Sequence, residues 1–108
     1  MDLAQLQQRA LEIAARYDEL NLAERGHTWT RADTMMGFVG DVGDLAKLSM
    51  AADGVREMPD HKRALGHELA DCLWSVLVLA KAHDVDLEAE FVGCMDMLET
   101  AIDRQLEG

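Results

Sequence analysis

Two pairs of acidic residues in the sequence have a spacing suited to metal binding. Asp41 and Asp44 are three residues apart, and so are Glu68 and Asp71. Side chains three residues apart lie on the same face of a helix, so two such faces opposite each other would form a cage of four carboxylates. Because ligation by oxygen alone suits hard cations, the four residues are candidate Mg²⁺ or Mn²⁺ ligands and candidate catalytic residues.

Spacing alone does not single out these two pairs. With 21 Asp and Glu among 108 residues, chance gives about four acidic pairs at this spacing, and the chain contains four: 41/44, 57/60, 68/71 and 96/99. Each pair has the alternative interpretation of a solvated helix face. The pairs 41/44 and 68/71 differ from the others because both lie in strongly apolar segments, where a buried carboxylate needs a compensating charge.

Three glycines accompany the first pair. Gly37, Gly40 and Gly43 fall in the same segment, and each costs about 1 kcal/mol relative to Ala inside a helix. One explanation is close packing between helices, which small residues permit. The other is that bare backbone beside Asp41 and Asp44 leaves room for a phosphate. The sequence leaves both explanations open.

The elements that position these residues are predicted to be helices, because apolar residues recur every three or four positions in four segments. The predicted ranges are 3–21, 31–53, 61–83 and 86–106. Capping boxes at Asp2 and Thr30 mark the first two starts, and Asp60 is the candidate cap of the third helix. The stretch 21–29 is predicted to be a loop. Short connections between helices of this length favour an antiparallel four-helix bundle.

Composition limits the class of protein. A length of 108 residues fits a single domain over 1–108, and 5% aromatic residues favour an all-α fold over a sheet protein. A formal charge of -11 argues against a nucleic-acid polymer as partner, since its phosphates would be repelled. The absence of a basic N-terminal region and of a long apolar run predicts a cytoplasmic protein without membrane contact. Cys72 and Cys94 are predicted to be reduced core thiols.

The second half of the third predicted helix is apolar on nearly every side. Leu73, Trp74, Val76, Leu77, Val78 and Leu79 follow one another closely there. A helix of this kind is either central in a larger protein or covered by another subunit, and the chain is short for the first case. The pattern therefore predicts a homodimer or homotetramer.

The two acidic motifs together resemble the MazG-like all-α nucleoside triphosphate pyrophosphohydrolases. The resemblance lies in the segments Val39–Ala46 and Glu68–Trp74, which match a Glu-rich E-E-x-x-E pattern followed by E-x-x-D on the next helix. It implies Mg²⁺-dependent hydrolysis of a nucleoside triphosphate to the monophosphate and pyrophosphate, usually as house-cleaning of nucleotides. The implied metal ligands are Asp41, Asp44, Glu68 and Asp71.

The chain departs from the family pattern in three ways. Gly40 stands at the first Glu position, as in the branch that resembles dCTP pyrophosphatases. Asp41 and Asp44 stand where the family has Glu, which shortens each arm by one methylene. The last helix of that branch offers a Lys and an Asn to the phosphates, whereas the stretch 94–99 contains neither.

Substrate contacts are therefore expected from other residues. The basic candidates for phosphate binding are Lys47, Arg56, Lys62 and Arg63, and the candidates for stacking on the base are Trp29 and Trp74. The alternative for each basic residue is a solvated surface charge, and for Trp74 it is packing at a subunit interface. For the whole chain the alternative is a helical interaction protein that keeps the bundle without the activity.

Overall fold

A computed structural model describes residues 1–54 and 61–108, and this part of the chain is helical without strands. The helices are α1 (Leu3–Arg25), α2 (Arg31–Ala52), α3 (His61–Ala82) and α4 (Leu87–Glu107). The prediction of an all-α fold with four helices is confirmed. Among the described residues, no helix is long and apolar enough to cross a membrane.

The helix starts follow the sequence signals. Asp2 and Thr30 form the predicted capping boxes, in which each side chain accepts from the backbone N–H three residues later. Asp86 caps α4 by accepting from the Ala89 N–H at 3.0 Å, so that helix begins one residue later than predicted. Asp60, the predicted cap of α3, lies outside the described residues.

The end of α1 corrects the predicted loop over 21–29. The helix continues to Arg25 and stops at Gly26, which has a φ of 78° and donates its N–H to the Leu22 carbonyl at 3.1 Å. Asn21 is buried within the last turns and accepts a hydrogen bond from the Arg25 side chain. A positive φ favours glycine, so Gly26 ends the helix, whereas Asn21 is held inside it by the residue one turn later.

The central helix of the fold is α3, which packs against both α1 and α2. Gln7 of α1 donates to the Leu77 carbonyl at 3.1 Å, and Arg31 of α2 donates to the Ala82 carbonyl at 3.4 Å. Two helices of the same chain thus contact the second half of α3, where Leu77 is buried and Leu73 remains 44% exposed. The homodimer or homotetramer expected from this apolar segment stays a prediction.

The buried core is thin. Among residues 1–54 and 61–108 the buried apolar side chains are Ala10, Leu48, Ala51, Leu77 and Ala80. Only Leu48 and Leu77 in this group are larger than Ala. The core therefore lies along the contacts of α3 with its two neighbours.

The fourth helix stands apart from this core. Its first turn lies beside the start of α1, where Leu3, Gln7 and Leu87 line a small cleft. No residue of α4 is buried, although the helix is described over its whole length. Cys94 is exposed on it, which corrects the prediction of a core thiol, while Cys72 on α3 is half-buried. Neither cysteine forms a disulfide.

Candidate metal centre

Three of the four predicted ligands converge where α2 and α3 pack together. One carboxylate oxygen from each of Asp41, Asp44 and Glu68 lies within 4.8 Å of the other two. Asp41 and Asp44 project together because they are three residues apart on α2, and α3 brings Glu68 against them. The i, i+3 spacing thus produces the shared face that the sequence predicts.

The cluster lies at the edge between the packed interior and solvent. Asp41 and Glu68 are half-buried, whereas Asp44 is exposed. The Oε2 atom of Glu68 is fully buried and has no hydrogen-bond partner among the described residues. A buried carboxylate oxygen without a donor is costly, and a cation between the three side chains would remove that cost.

The electrostatics of the cluster favour uptake of positive charge. Burial raises the pKa of the Asp41 carboxyl above its ordinary value, and the charges of Asp71 and Asp44 raise it further. Burial is also the main cause of the raised pKa of Glu68. The charges of Asp41, Asp71 and Asp44 add to that shift, and His67 opposes it. Protons and divalent cations therefore compete for the same oxygens.

Asp71 lies beside the cluster rather than within it. Its Oδ2 atom is 3.2 Å from Nε2 of His67, four residues earlier on α3. Its charge nevertheless raises the pKa of both Asp41 and Glu68. The structure thus brings three of the four predicted ligands together and pairs the fourth with a histidine. His67 is not among the site residues predicted from the sequence, although its i, i+4 spacing to Asp71 is a visible signal.

Cys72 places a thiol next to the three carboxylates. Burial raises the pKa of Cys72, and the charges of Asp41, Glu68 and Asp71 raise it further. A thiol with a raised pKa stays protonated at neutral pH and is a poor nucleophile. Cys72 is therefore a packing residue next to the site.

An open groove of about 460 Å³ adjoins the cluster. Asp41, His67 and Asp71 line it together with three aromatic side chains, Tyr17, Trp29 and Trp74. Asp41 of the cluster and the neighbouring Asp71 thus share one concave surface with aromatic rings. The groove thus combines carboxylate oxygens, which suit hard cations, with aromatic faces on which planar rings can stack.

The two tryptophans of the groove are held differently. Trp74 is half-buried, donates its Nε1–H to the Ala10 carbonyl at 3.0 Å, and meets Tyr17 edge to face with ring centroids 5.9 Å apart. Its packing within the chain fixes α1 on α3. Trp29 is 46% exposed, and a Cβ added to Gly37 would lie 3.5 Å from its ring. Trp29 is thus the better placed of the two for stacking on a ligand.

The three glycines of α2 divide between the two explanations given for them. Gly37 has Trp29 against it, as described above. Apart from the adjacent stretch of α2 itself, no described residue has an atom within 4 Å of a Cβ added to Gly40 or Gly43. Close packing against the described helices therefore does not account for Gly40 and Gly43, and the backbone beside Asp41 and Asp44 is open.

The basic candidates lie on the surface. Lys47, Lys62 and Arg63 are exposed, and none of them forms an ion pair in the described part of the chain. Lys47 is one turn beyond Asp44 on α2, and the other two lie in the first turn of α3. Arg56 lies outside the described residues. The role of these basic residues in phosphate binding therefore stays a prediction.

Comparison of the chain with protein-family profiles, with curated proteins and with solved structures finds no match. The resemblance to the MazG-like family therefore stays an expectation from the two acidic motifs.

Without divalent cations, we expect the contribution of Asp41 and Glu68 to the free energy of unfolding to rise as the pH is lowered from 7 toward their ordinary carboxyl pKa values of 3.8 and 4.5. The folded state binds protons more tightly at Asp41 and Glu68 than the unfolded chain does. The charged carboxylates therefore destabilise the fold fully at a pH above their pKa in the folded state, and not at all at a pH below their pKa in the unfolded chain. Urea unfolding of wild type and Glu68→Gln in a chelator measures this effect. The stability advantage of Glu68→Gln should shrink as the pH falls, and an advantage that is independent of pH would contradict the assignment.

Proposed function

We propose that this chain is a Mg²⁺-dependent nucleoside triphosphate pyrophosphohydrolase, which converts a ribo- or deoxyribonucleoside triphosphate to the monophosphate and pyrophosphate. The observation that carries the proposal is the convergence of Asp41, Asp44 and Glu68 within 4.8 Å beside an aromatic groove. Triphosphate-binding sites need a concentrated positive charge next to a surface for the base. In this chain the side chains of the site offer the surface for the base and the ligands for the cation.

The donor set fits Mg²⁺ or Mn²⁺. All three converging side chains offer carboxylate oxygens, and Oε2 of Glu68 is a buried oxygen without a hydrogen-bond donor. Hard divalent cations prefer such ligands and retain further positions for phosphate oxygens. When bound, the ion supplies positive charge to the triphosphate and to the charge that develops in the transition state. This also explains how a chain of charge -11 binds a polyanion.

In this proposal the other residues of the site position the attacking water and the substrate. In the proposed reaction water attacks one of the two phosphorus atoms that flank the α–β bridging oxygen. The bond between that phosphorus and the bridging oxygen breaks, and the products are the monophosphate and pyrophosphate. We assign Asp71 to hold this water and accept its proton, because it lines the groove next to the three ligands and is paired with His67. Trp29 stacks on the base, and Lys47, Lys62 and Arg63 are the candidates for the outer phosphates.

The proposal includes the finer features predicted from the sequence. The helices form an antiparallel bundle of the MazG-like type, the protein works in the cytoplasm as a homodimer or homotetramer, and its role is house-cleaning of nucleotides. The two Asp residues in place of Glu at 41 and 44 make the cluster smaller than that of the family pattern. Glu68 reaches Asp41 and Asp44 from α3, which supports the convergence of three carboxylate oxygens despite the shorter Asp side chains.

A second candidate function is a helical interaction protein that retains the bundle without catalysis. The observation that favours it is α4, which has no buried residue and whose apolar side is exposed. A binding role predicts a folded protein that neither cleaves triphosphates nor binds divalent cations.

A panel of canonical and modified triphosphates, incubated with purified protein and Mg²⁺ or Mn²⁺, separates the two candidates. We expect release of pyrophosphate and monophosphate that requires the cation and stops when a chelator is added. We also expect Mn²⁺ to raise Tm, because an ion that binds only the folded state stabilises it. If no triphosphate is cleaved and no divalent cation raises Tm, the enzyme proposal fails.

A further inference from the structure

A second, smaller cleft continues the aromatic groove away from the metal centre. Its volume is about 150 Å³, and none of the three converging carboxylates lines it. Asp18 and Arg31 line it, and it shares four further residues with the groove, which are Tyr17, Trp29, Thr34 and Trp74. We call this space the distal cleft. The groove and the distal cleft therefore meet at the aromatic rings.

The distal cleft lies at a distance from the metal centre that suits the base of a nucleotide. Arg31 begins α2 and Asp41 follows ten residues later, which corresponds to about 15 Å along a helix. A nucleotide whose phosphates are held at the carboxylates extends its sugar and base away from them over such a distance. With the base on the ring of Trp29, the outer edge of the base would reach the distal cleft.

Two oppositely charged side chains line the distal cleft without contacting each other. Asp18 comes from α1 and Arg31 from the first turn of α2. Asp18 forms no hydrogen bond or ion pair with the described residues, whereas its neighbours Arg16 and Glu19 pair with each other at 3.1 Å. Arg31 donates one N–H to the Ala82 carbonyl, and its guanidinium has further N–H donors. The cleft therefore offers an acceptor and a donor that do not satisfy each other.

We propose that the distal cleft binds the edge of a guanine base, so that guanosine triphosphates, ribo or deoxy, are the preferred substrates. This inference rests on the proposed function. Among the common bases, guanine alone presents two neighbouring N–H donors, at N1 and the 2-amino group, beside the acceptor O6. The two carboxylate oxygens of Asp18 accept from the two donors, and the guanidinium of Arg31 donates to O6.

The other common bases satisfy these two side chains less completely. Cytosine offers the carboxylate of Asp18 a single amino group. Adenine turns its 6-amino group toward Arg31, where guanine has an acceptor. Uracil and thymine have one N–H between two carbonyl oxygens, so one of these oxygens faces the carboxylate. A charged group that leaves water without a full set of partners is costly, and this cost discriminates against the wrong base.

Non-hydrolysable triphosphates test the inference on the wild-type protein. In Mn²⁺ the guanosine analogue should bind at least about 10-fold more tightly than the inosine analogue, which lacks only the 2-amino group. The adenosine, cytidine and uridine analogues should also bind more weakly than the guanosine analogue. Calorimetry measures the affinities, and the cleavable triphosphates should follow the same order in kcat/KM.

Asp18→Asn should change the preference from guanine to xanthine. Xanthine has a carbonyl oxygen where guanine has the 2-amino group, and an amide accepts from N1–H and donates to that oxygen. The xanthosine analogue should therefore bind more tightly to the variant than to wild type, a gain that a failure to fold does not produce. The matched control is Asp103→Asn, which makes the same change at an exposed position of α4 and should leave the order of affinities unchanged.

The outcomes distinguish this inference from the proposed hydrolysis. Cleavage of triphosphates with equal affinities for the guanosine and inosine analogues would overturn the guanine assignment and leave the hydrolysis standing. An unchanged preference in Asp18→Asn would overturn the assignment as well. Selective binding of the guanosine analogue together with the change to xanthine, but without cleavage, would support the distal cleft and contradict the hydrolysis. Absence of binding by every analogue in Mn²⁺ would overturn both.

Discussion

Glu68→Gln is expected to remove cation-dependent turnover, with a fall in kcat/KM of at least about 100-fold. Glu68 is the only member of the three-carboxylate cluster that α3 contributes, and its buried Oε2 has no hydrogen-bond partner among the described residues. The amide keeps the shape of the side chain and loses the charge that a cation needs. Steady-state assays with the best triphosphate of the panel measure the fall.

The same substitution should stabilise the protein in the absence of cations. Burial and the charges of its neighbours raise the pKa of Glu68, so the charged form is unfavourable in the fold and a neutral amide relieves the repulsion. In Mn²⁺ the order reverses, because wild type gains stability from binding and the variant does not. A matched control is Glu24→Gln, which removes an exposed charge on α1 and should change neither property.

Asp71→Asn separates binding of the cation from use of the water. We expect turnover to fall strongly, because Asp71 is assigned to accept the proton, whereas the Mn²⁺ affinity measured by calorimetry falls less than in Glu68→Gln. The pairing of Asp71 with His67 outside the three-carboxylate cluster is the reason for the difference. An equal loss of Mn²⁺ affinity in both variants would make Asp71 a fourth ligand, as the sequence pattern predicts. Strong destabilisation by both substitutions would instead indicate a structural role for the acidic site.

Local signals in the sequence predict the helices well because caps and apolar periods are properties of neighbouring residues. The starts at Asp2 and Thr30 follow directly from their capping boxes. The predicted end of α1 is wrong because Asn21 and Gly26 are both residue types that are common in loops. In the structure, burial and a hydrogen bond from Arg25 keep Asn21 in the helix. Burial of this kind depends on tertiary packing, which the local pattern does not contain.

The candidate site shows the same division between local and long-range information. The i, i+3 spacing correctly predicts that Asp41 and Asp44 share a face, but it does not fix how α3 is placed along α2. That placement brings Glu68 to the cluster and leaves Asp71 with His67. For α4 the period identifies an apolar side correctly, yet a period does not say whether the covering surface belongs to the same chain.

The two tryptophans of the groove are expected to separate ligand binding from stability. Trp29→Ala should raise KM about 10-fold with little change in kcat, since stacking of a base on an aromatic ring contributes roughly 1 to 3 kcal/mol. Its side chain is 46% exposed, so the free energy of unfolding should fall by less than about 1 kcal/mol. Michaelis–Menten kinetics and urea unfolding of the same preparation measure both effects.

Trp74→Ala is expected to act mainly on stability, with a loss of about 2 to 3 kcal/mol, because half-burial places it below the range for fully buried rings. It would remove the hydrogen bond to the Ala10 carbonyl and the edge-to-face contact with Tyr17, which together hold α1 on α3. Trp74→Phe keeps most of the ring contact and loses the donor, so about 1 kcal/mol is expected. In that variant Trp29 is the only tryptophan, and a non-hydrolysable triphosphate with Mg²⁺ should change its fluorescence. Unchanged fluorescence, together with an unchanged KM in Trp29→Ala, would exclude Trp29 from the base site, because a ring stacked on a base cannot remain unaffected by binding.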